Sequence, residues 1–244
     1  MNRWKAATIH LSISFVLATT IGALLYFLWF PPPYFIAAGA SKLIILLMGV
    51  DIGIGPLLTL IVFTPDKPRK LLRLDLSVIA VLQTIAFAYG VHVIAAARPV
   101  FVVAAVDRLK LVSADELADA DLAQGSQTAF RTRSWTGPVL VGVQTGSKGF
   151  DALKVLDTGK DLVQLPRYYQ PYEQVVDKLM QHAKPLSQIK NATSDQRRQL
   201  EQLQAGADGA TLLALPLQRG EQDYTAIMSP KTMRPIRVLA IDPW

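Results

Sequence analysis

The chain has 244 residues, of which 51% are apolar and only 18% charged, and its mean hydropathy is +0.28. That balance excludes a disordered chain, which would be polar and charged, and departs from ordinary soluble enzymes, where about a quarter of residues carry charge. With no Cys and three His, disulfides, thiolate metal sites and cysteine nucleophiles are excluded, and little remains for a histidine metal site.

The net charge of +6 divides unevenly, +4 over residues 1–97 and +2 over residues 98–244. The basic excess lies beside apolar segments, so it reads as membrane orientation rather than as a nucleic-acid footprint.

In chain order, the first element is an uncharged run from Ala6 to Phe30. It is long enough to cross a bilayer as a helix, which takes about 20 residues. The start Met1-Asn-Arg-Trp-Lys5 would suit a signal peptide, but the run is too long and ends in Trp29-Phe30-Pro31-Pro32-Pro33 rather than at small residues. A retained helix is expected, stopped by the three prolines. Thr8, Ser12 and Thr19 recur at helical spacing and read as a helix-facing stripe.

A second run, residues 43–63, carries a single charge, Asp51. A carboxylate at that depth costs several kcal/mol unless it is protonated, paired or hydrated, about 2.5–3.5 by insertion scales. It reads either as a contact to another helix or bound polypeptide, or as a protonated acid bonded within its own bundle. Around it stands Gly49-Val-Asp51-Ile-Gly53-Ile-Gly55-Pro56. Gly49 and Gly53 make a G-x-x-x-G pair that lets backbones approach closely, and Pro56 removes a helical hydrogen bond and predicts a kink.

The segment Thr64 to Arg73 holds Lys67, Arg69, Lys70 and Arg73 and reads as a basic loop. A third run, residues 76–97, is uncharged. Ala80, Thr84, Ala88 and His92 step along it as another helix-facing stripe, and a proton relay between His92 and Asp51 is conceivable. Basic residues at the N-terminus and in the second loop outnumber Lys42 in the first, so the positive-inside rule puts both in the cytoplasm and residues 98–244 outside. Aromatics from Tyr26 to Phe35 gather where the outer interface should be, and Trp4 at the inner one. A bacterial inner membrane is the expected location.

Residues 98–244 have the size of one domain. Strands are expected at Pro99–Val106, Val139–Val143, Thr211–Leu217, Tyr224–Met228 and Ile236–Ile241, with turns at Gly220 and Pro230. Ser113-Ala-Asp-Glu116 fits a capping box opening a short helix through Leu122. Gly142 to Gly149 resembles a phosphate loop but lacks its G-K-[ST] ending, so a hairpin turn is expected, followed by a helix over Phe150–Leu156. Pro171 is placed to open a helix to His182, and Asp195–Gln204 reads as a solvent-facing helix. Tyr168, Tyr169 and Tyr172 read either as a partner-binding surface or as core. The fold class is therefore α+β: a three-helix transmembrane bundle over residues 1–97, then a small α+β periplasmic domain over 98–244. No catalytic set, cofactor site or small-molecule substrate emerges, and no enzyme is expected.

Several strings carry a resemblance: Lys5-Ala-Ala-Thr-Ile-His10-Leu-Ser-Ile-Ser14, the turn ending Tyr34-Phe35, Gly49 through Phe63, Ala97-Arg98-Pro99-Val100, Ala105-Val106-Asp107-Arg108, Leu165-Pro-Arg-Tyr-Tyr169 and the ending Asp242-Pro-Trp244. Through these the chain resembles the type IV pilin accessory proteins of the TfpX/TfpZ kind, best over the first hundred residues and loosely beyond residue 185. The resemblance implies an inner-membrane protein that assists its cognate major pilin in stability, assembly or pilus dynamics, without catalysis. It brings no established site residues. The expected arrangement has Gly49, Asp51, Gly53, Gly55 and Pro56 against the pilin helix while the exported domain touches the pilin head. The partners are then pilin and membrane lipid, with no nucleic acid. A membrane-anchored periplasmic sensor or ligand receptor is the alternative; an enzyme or transporter stands third.

Overall fold

The computed structural model describes residues 2–64, 67–143, 159–207 and 209–243. The chain forms two compact units, one from Met1–Phe27 and Gly39–Ala96, the other from Leu28–Ala38 and Ala97–Trp244.

Three helices build the first unit. α1, Arg3–Leu24, continues through a π-helical turn at Leu25–Trp29. α2, Ala40–Gly49, passes through a second π-helical turn at Val50–Ile54 into α3, Gly55–Val62. α4 runs Arg69–Ala97. All three stretches, Arg3–Trp29, Ala40–Val62 and Arg69–Ala97, are long and apolar enough to cross a membrane. They contain most of the charge-free runs and begin earlier, because Lys and Arg are good helix formers and a helix need not end where the apolar run does. Arg69, Lys70 and Arg73, expected in a loop, therefore sit on the opening turns of α4. Pro56 stands at the start of α3, directly after the π-helical turn. The widened turn accommodates the hydrogen bond that proline cannot donate.

The two expected polar stripes do not pack against a neighbouring helix, although Ala80 and Thr84 edge the space between α1 and α4. Thr8, Ser12 and Thr19 are exposed, as are Ala80, Thr84, Ala88 and His92. The physical reason is local: Ser12 Oγ donates to the Thr8 carbonyl at 2.9 Å and Thr84 Oγ1 to that of Ala80 at 2.8 Å. Such back-bonding satisfies a hydroxyl within its own helix, so it needs no partner helix. The buried line is instead Ala7, Ser14 and Ala18 on α1 and Leu25 at the start of its π-helical turn. The exposed His92 borders neither of the grooves that Asp51 borders, so the structure does not bring the two together.

The second unit is an eight-stranded mixed sheet with helices. Its strands are β1 Pro99–Ala105, β2 Arg108–Ser113, β3 Val139–Val143, β4 Tyr169–Pro171, β5 Lys184–Pro185, β6 Leu213–Arg219, β7 Gln222–Met228 and β8 Pro235–Leu239. The order is β4-β3-β1-β2-β6-β7-β8, with β5 also on β6. β1 pairs parallel with β3, and β2 with β6; the other pairs are antiparallel. The apolar run Pro99-Val-Phe-Val-Val-Ala is buried throughout, as an interior strand covered on both faces requires. One core gathers Phe101, Val103, Val112, Phe130, Val141 and Tyr169; a second gathers Leu186, Leu200, Leu212, Ile227 and Leu239.

The helix Ser194–Ala205 opens on a capping box from Thr193 to Gln196. The Ser113–Glu116 capping box also forms, but it opens a single 3-10 turn, Ala114–Glu116, and Asp119–Leu122 is a separate helix. Pro171 ends β4 instead of opening a helix; a 3-10 turn at Tyr172–Gln174 and a short helix Val176–Met180 follow. Most of the expected turn at Gly142–Gly149, and the expected helix over Phe150–Leu156, lie outside the described residues.

Two features of this unit were not anticipated. β2 folds back on β1 through Val106 and Asp107, where Val106 takes φ +53°, a left-handed conformation that strains a β-branched residue. The other is the strap, Leu28–Ala38, which packs into the second unit although it is the link between α1 and α2. Phe30, Tyr34, Ala37 and Ala38 of the strap are buried, and Arg219 donates to the Ala38 carbonyl.

Candidate functional site

In the first unit, the π-helical turn carries Asp51 into the bundle, where it is only 8% exposed. Among the described residues it has no hydrogen-bond or ion-pair partner. Its side chain borders two grooves beside α4. One, of about 270 Å³, runs between α2 and α4 and is lined by Leu46, Val50, Phe87, Gly90 and Val93. The other, of about 280 Å³, runs between α1 and α4 and is lined by His10, Ser14, Gln83, Thr84 and Phe87. Only Ile79 and Ile94 of the long α4 are buried, so this helix is covered mainly along a thin seam.

One turn further along, α1 and α3 are joined by His10 Nδ1 and Thr59 Oγ1 at 2.6 Å. Gly55 makes room for this junction. A Cβ built there would lie 1.9 Å from Gln83 Nε2 and 3.1 Å from His10 Nε2. A polar layer of the buried Thr59 and the half-buried His10 and Gln83 thus closes over a bare backbone, the arrangement that replaces hydrophobic attraction where the solvent is itself apolar. Sequence reading singled out neither His10 nor Gln83, since partners some fifty residues apart leave no local signal.

The five residues expected to meet a foreign helix divide between two faces. Gly49 and Gly53 point outward, with nothing within 4 Å of a Cβ built on either. Asp51, Gly55 and Pro56 are buried. Leu46 and Val50 stand one helical turn from the two outward glycines and also line the α2–α4 groove, so they form a shared rim.

In the second unit, the tyrosines do not make a surface. Tyr169 is 2% exposed, donates its hydroxyl to the Val163 carbonyl and meets the Phe101 ring edge-on at 5.1 Å. Tyr172 is equally buried and donates to the Met233 carbonyl. Burial pushes the Tyr172 phenol from 10.0 to about 12 and raises Tyr34 and Tyr169 as well. Tyr169 and Tyr172 are core, because their rings fill apolar space while their hydroxyls find main-chain acceptors. Tyr168 alone remains half-buried, with the Arg167 guanidinium 4.9 Å from its ring centroid.

Arg98 ties the strap to this unit. Its Cζ lies 4.0 Å from the Trp135 ring centroid and 5.7 Å from that of Trp29, and its Nε donates to the Ser134 carbonyl at 3.2 Å. Burial, and after it the Arg133 guanidinium, lowers its pKa. Elsewhere, a cleft of about 350 Å³ opens where Leu215 and Pro216 of β6 run between the segments paired with β5 and β2. Asp107, His182 and Lys184 line it, and a hydrogen bond from Arg108 holds the Asp107 carboxyl below the usual range. Among the described residues, no group of three or more His, Cys, Asp or Glu could hold a metal ion.

A sequence profile of the family described as "Fimbrial assembly protein FimB" matches residues 1–39, which contain α1 and the strap. The fimbrial assembly protein of serogroup E1 of Dichelobacter nodosus is 34% identical over 187 residues, 75% of this chain and 72% of the relative. The chain belongs to the fimbrial assembly protein family. The serogroup I protein of the same organism is 33% identical over the same shares of both chains. That of serogroups C1 and C2 is 38% identical over 120 residues, 49% of this chain and 92% of the relative. No solved structure matches the chain. The expected kinship with pilus accessory proteins is borne out, and a fimbrial assembly protein is here a chain with three apolar helices and a mixed-sheet unit.

Proposed function

We propose that this fimbrial assembly protein is a non-catalytic inner-membrane accessory protein that binds the major type IV pilin and sets its stability, assembly or pilus dynamics. In this reading the N-terminus is cytoplasmic and the sheet unit periplasmic. The observation that carries it is Asp51, nine-tenths buried and without a partner among the described residues, beside two open grooves. A carboxyl so placed favours the arrival of another polypeptide, because an intramembrane polar group gains when a helix covers and bonds it. A pilin offers an apolar helix of that kind. Laid along the rim of Leu46 and Val50, it passes over Gly49 and Gly53 and reaches the edge of the groove that ends at Asp51.

Photo-crosslinking from the Leu46–Val50 rim to pilin tests this. Asp51→Leu and Gly53→Leu each lower crosslinked pilin about tenfold at normal expression, the size expected of an interhelical contact of 1–2 kcal/mol. Undiminished crosslinking in both variants overturns the assignment.

A periplasmic sensor or ligand receptor is the second reading, favoured by the cleft beside Asp107, His182 and Lys184. Deletion of the gene separates the two. An accessory protein alters the number of surface pili and the membrane pool of pilin together, whereas a ligand receptor leaves both unchanged under constant medium.

A further inference from the structure

The sheet unit carries one patch that neither its core nor its hydrogen bonds explain. Trp135 is 61% exposed, although its ring meets that of Trp29 at a tilt of 48°, with centroids 5.8 Å apart. Trp29 is the last helical residue of the first apolar stretch. Leu28 and Ile36, at either end of the strap, are exposed beside it in sequence. The loop that holds Trp135 is fixed against the strap. Gly137 has φ +91°, and a Cβ there would come within 2.6 Å of Pro31 Cγ. Arg98 packs against both indoles, and the exposed Arg131 is anchored by its Nε on the Gly125 carbonyl. Residues 126–137 contain no Asp or Glu, and residues 28–38 contain no charged side chain.

We infer that the loop Arg131–Gly137 docks on the phospholipid headgroup layer, with Trp135 as its anchor. The inference rests on the reading that α1 crosses the bilayer. An indole left in water wastes its apolar body, whereas at the headgroup level the ring is buried and its N–H remains bonded. The ring contact with Trp29 ties Trp135 to the residue that closes the first apolar stretch. Arg131, exposed and without an ion pair among the described residues, suits the phosphates of anionic lipid, whereas Arg133 is held by Asp119. A protein partner at this site would need to cover an apolar and a basic surface together, next to a helix end that already meets the headgroups.

The test uses the full chain in vesicles of phosphatidylethanolamine and phosphatidylglycerol brominated near the headgroup. In one variant Trp135 is the sole tryptophan, in another Trp29, the others being replaced by Phe. Bromolipid lowers Trp135 emission at least about twofold, as expected of an indole in the interfacial belt, while aqueous iodide has little effect. In the otherwise native chain, Trp135→Phe removes a bromolipid-quenched component, which guards against a misfolded single-tryptophan variant. Quenching of Trp29 by bromolipid, with Trp135 open to iodide or shielded from both quenchers, overturns the inference and leaves the membrane span standing. Loss of bromolipid quenching at both positions removes the span and the docking together.

Discussion

Arg98→Ala destabilises the sheet unit by about 2–4 kcal/mol, the sum expected of two desolvated cation–π contacts and the lost packing of the side-chain stem. The guanidinium packs against both Trp29 and Trp135 and its Nε donates to the Ser134 carbonyl, so its removal loosens the strap and the Trp135 loop at once. For a unit of this size the change appears as a melting temperature about 5–15 °C lower. Near-ultraviolet circular dichroism of the full chain in detergent follows it, because the tertiary signal of the sheet unit is lost while the apolar helices persist. Arg98→Lys restores less than half of the loss, since an ammonium cannot stack as a plane on both rings. Equal melting of the Ala variant and the native chain would show that the strap is held by its buried Phe30, Tyr34, Ala37 and Ala38 alone.

The second large effect is expected at Tyr169. Tyr169→Ala costs about 3–5 kcal/mol, as for other aromatic truncations in a core. Tyr169→Phe costs about 1–2 kcal/mol, because it keeps the ring contacts with Phe101 and Phe130 and leaves the buried Val163 carbonyl unbonded. The same hydroxyl predicts a pH dependence. Burial raises the phenols of Tyr34, Tyr169 and Tyr172 above their ordinary 10.0. The neutral form is thus the folded form, and the unfolded chain releases the protons first. The contribution is complete below pH 10 and is lost as pH rises, over 10 to about 12 for Tyr172. Urea midpoints of the sheet unit therefore fall steeply above pH 10, and Tyr172→Phe makes that fall shallower. A flat profile to pH 12 contradicts the burial of these hydroxyls.

Much of this architecture is legible in the chain because bilayers impose a coarse rule. A run such as residues 76–97, without a charge, has few other places to go. The strands at Pro99–Ala105 and Gln222–Met228 are legible through their β-branched and aromatic content. β2 is not, because its hairpin turns on Val106 and Asp107 without the Gly or Asn that marks such turns. Tyr169 and Tyr172 could not be assigned to surface or core, since a phenol suits either and only the positions of Val163 and Met233 decide. Asp51 announces itself by its charge, but its lack of a partner among the described residues depends on helices far along the chain. The strap did carry a signal that composition alone offers: eleven residues, Leu28 to Ala38, without one charged or amide side chain make a poor aqueous loop.

That strap makes the sheet unit discontinuous. The chain leaves it at Ala38, builds α2 to α4, and returns at Ala97. During synthesis the strap emerges early, yet the arginine that caps Ala38 is 181 residues away. Loop closure over such a separation is slow. A nascent or truncated chain ending before β6 thus has all its membrane segments but an unsealed apolar strap, a form that quality-control proteases can tell from the finished molecule.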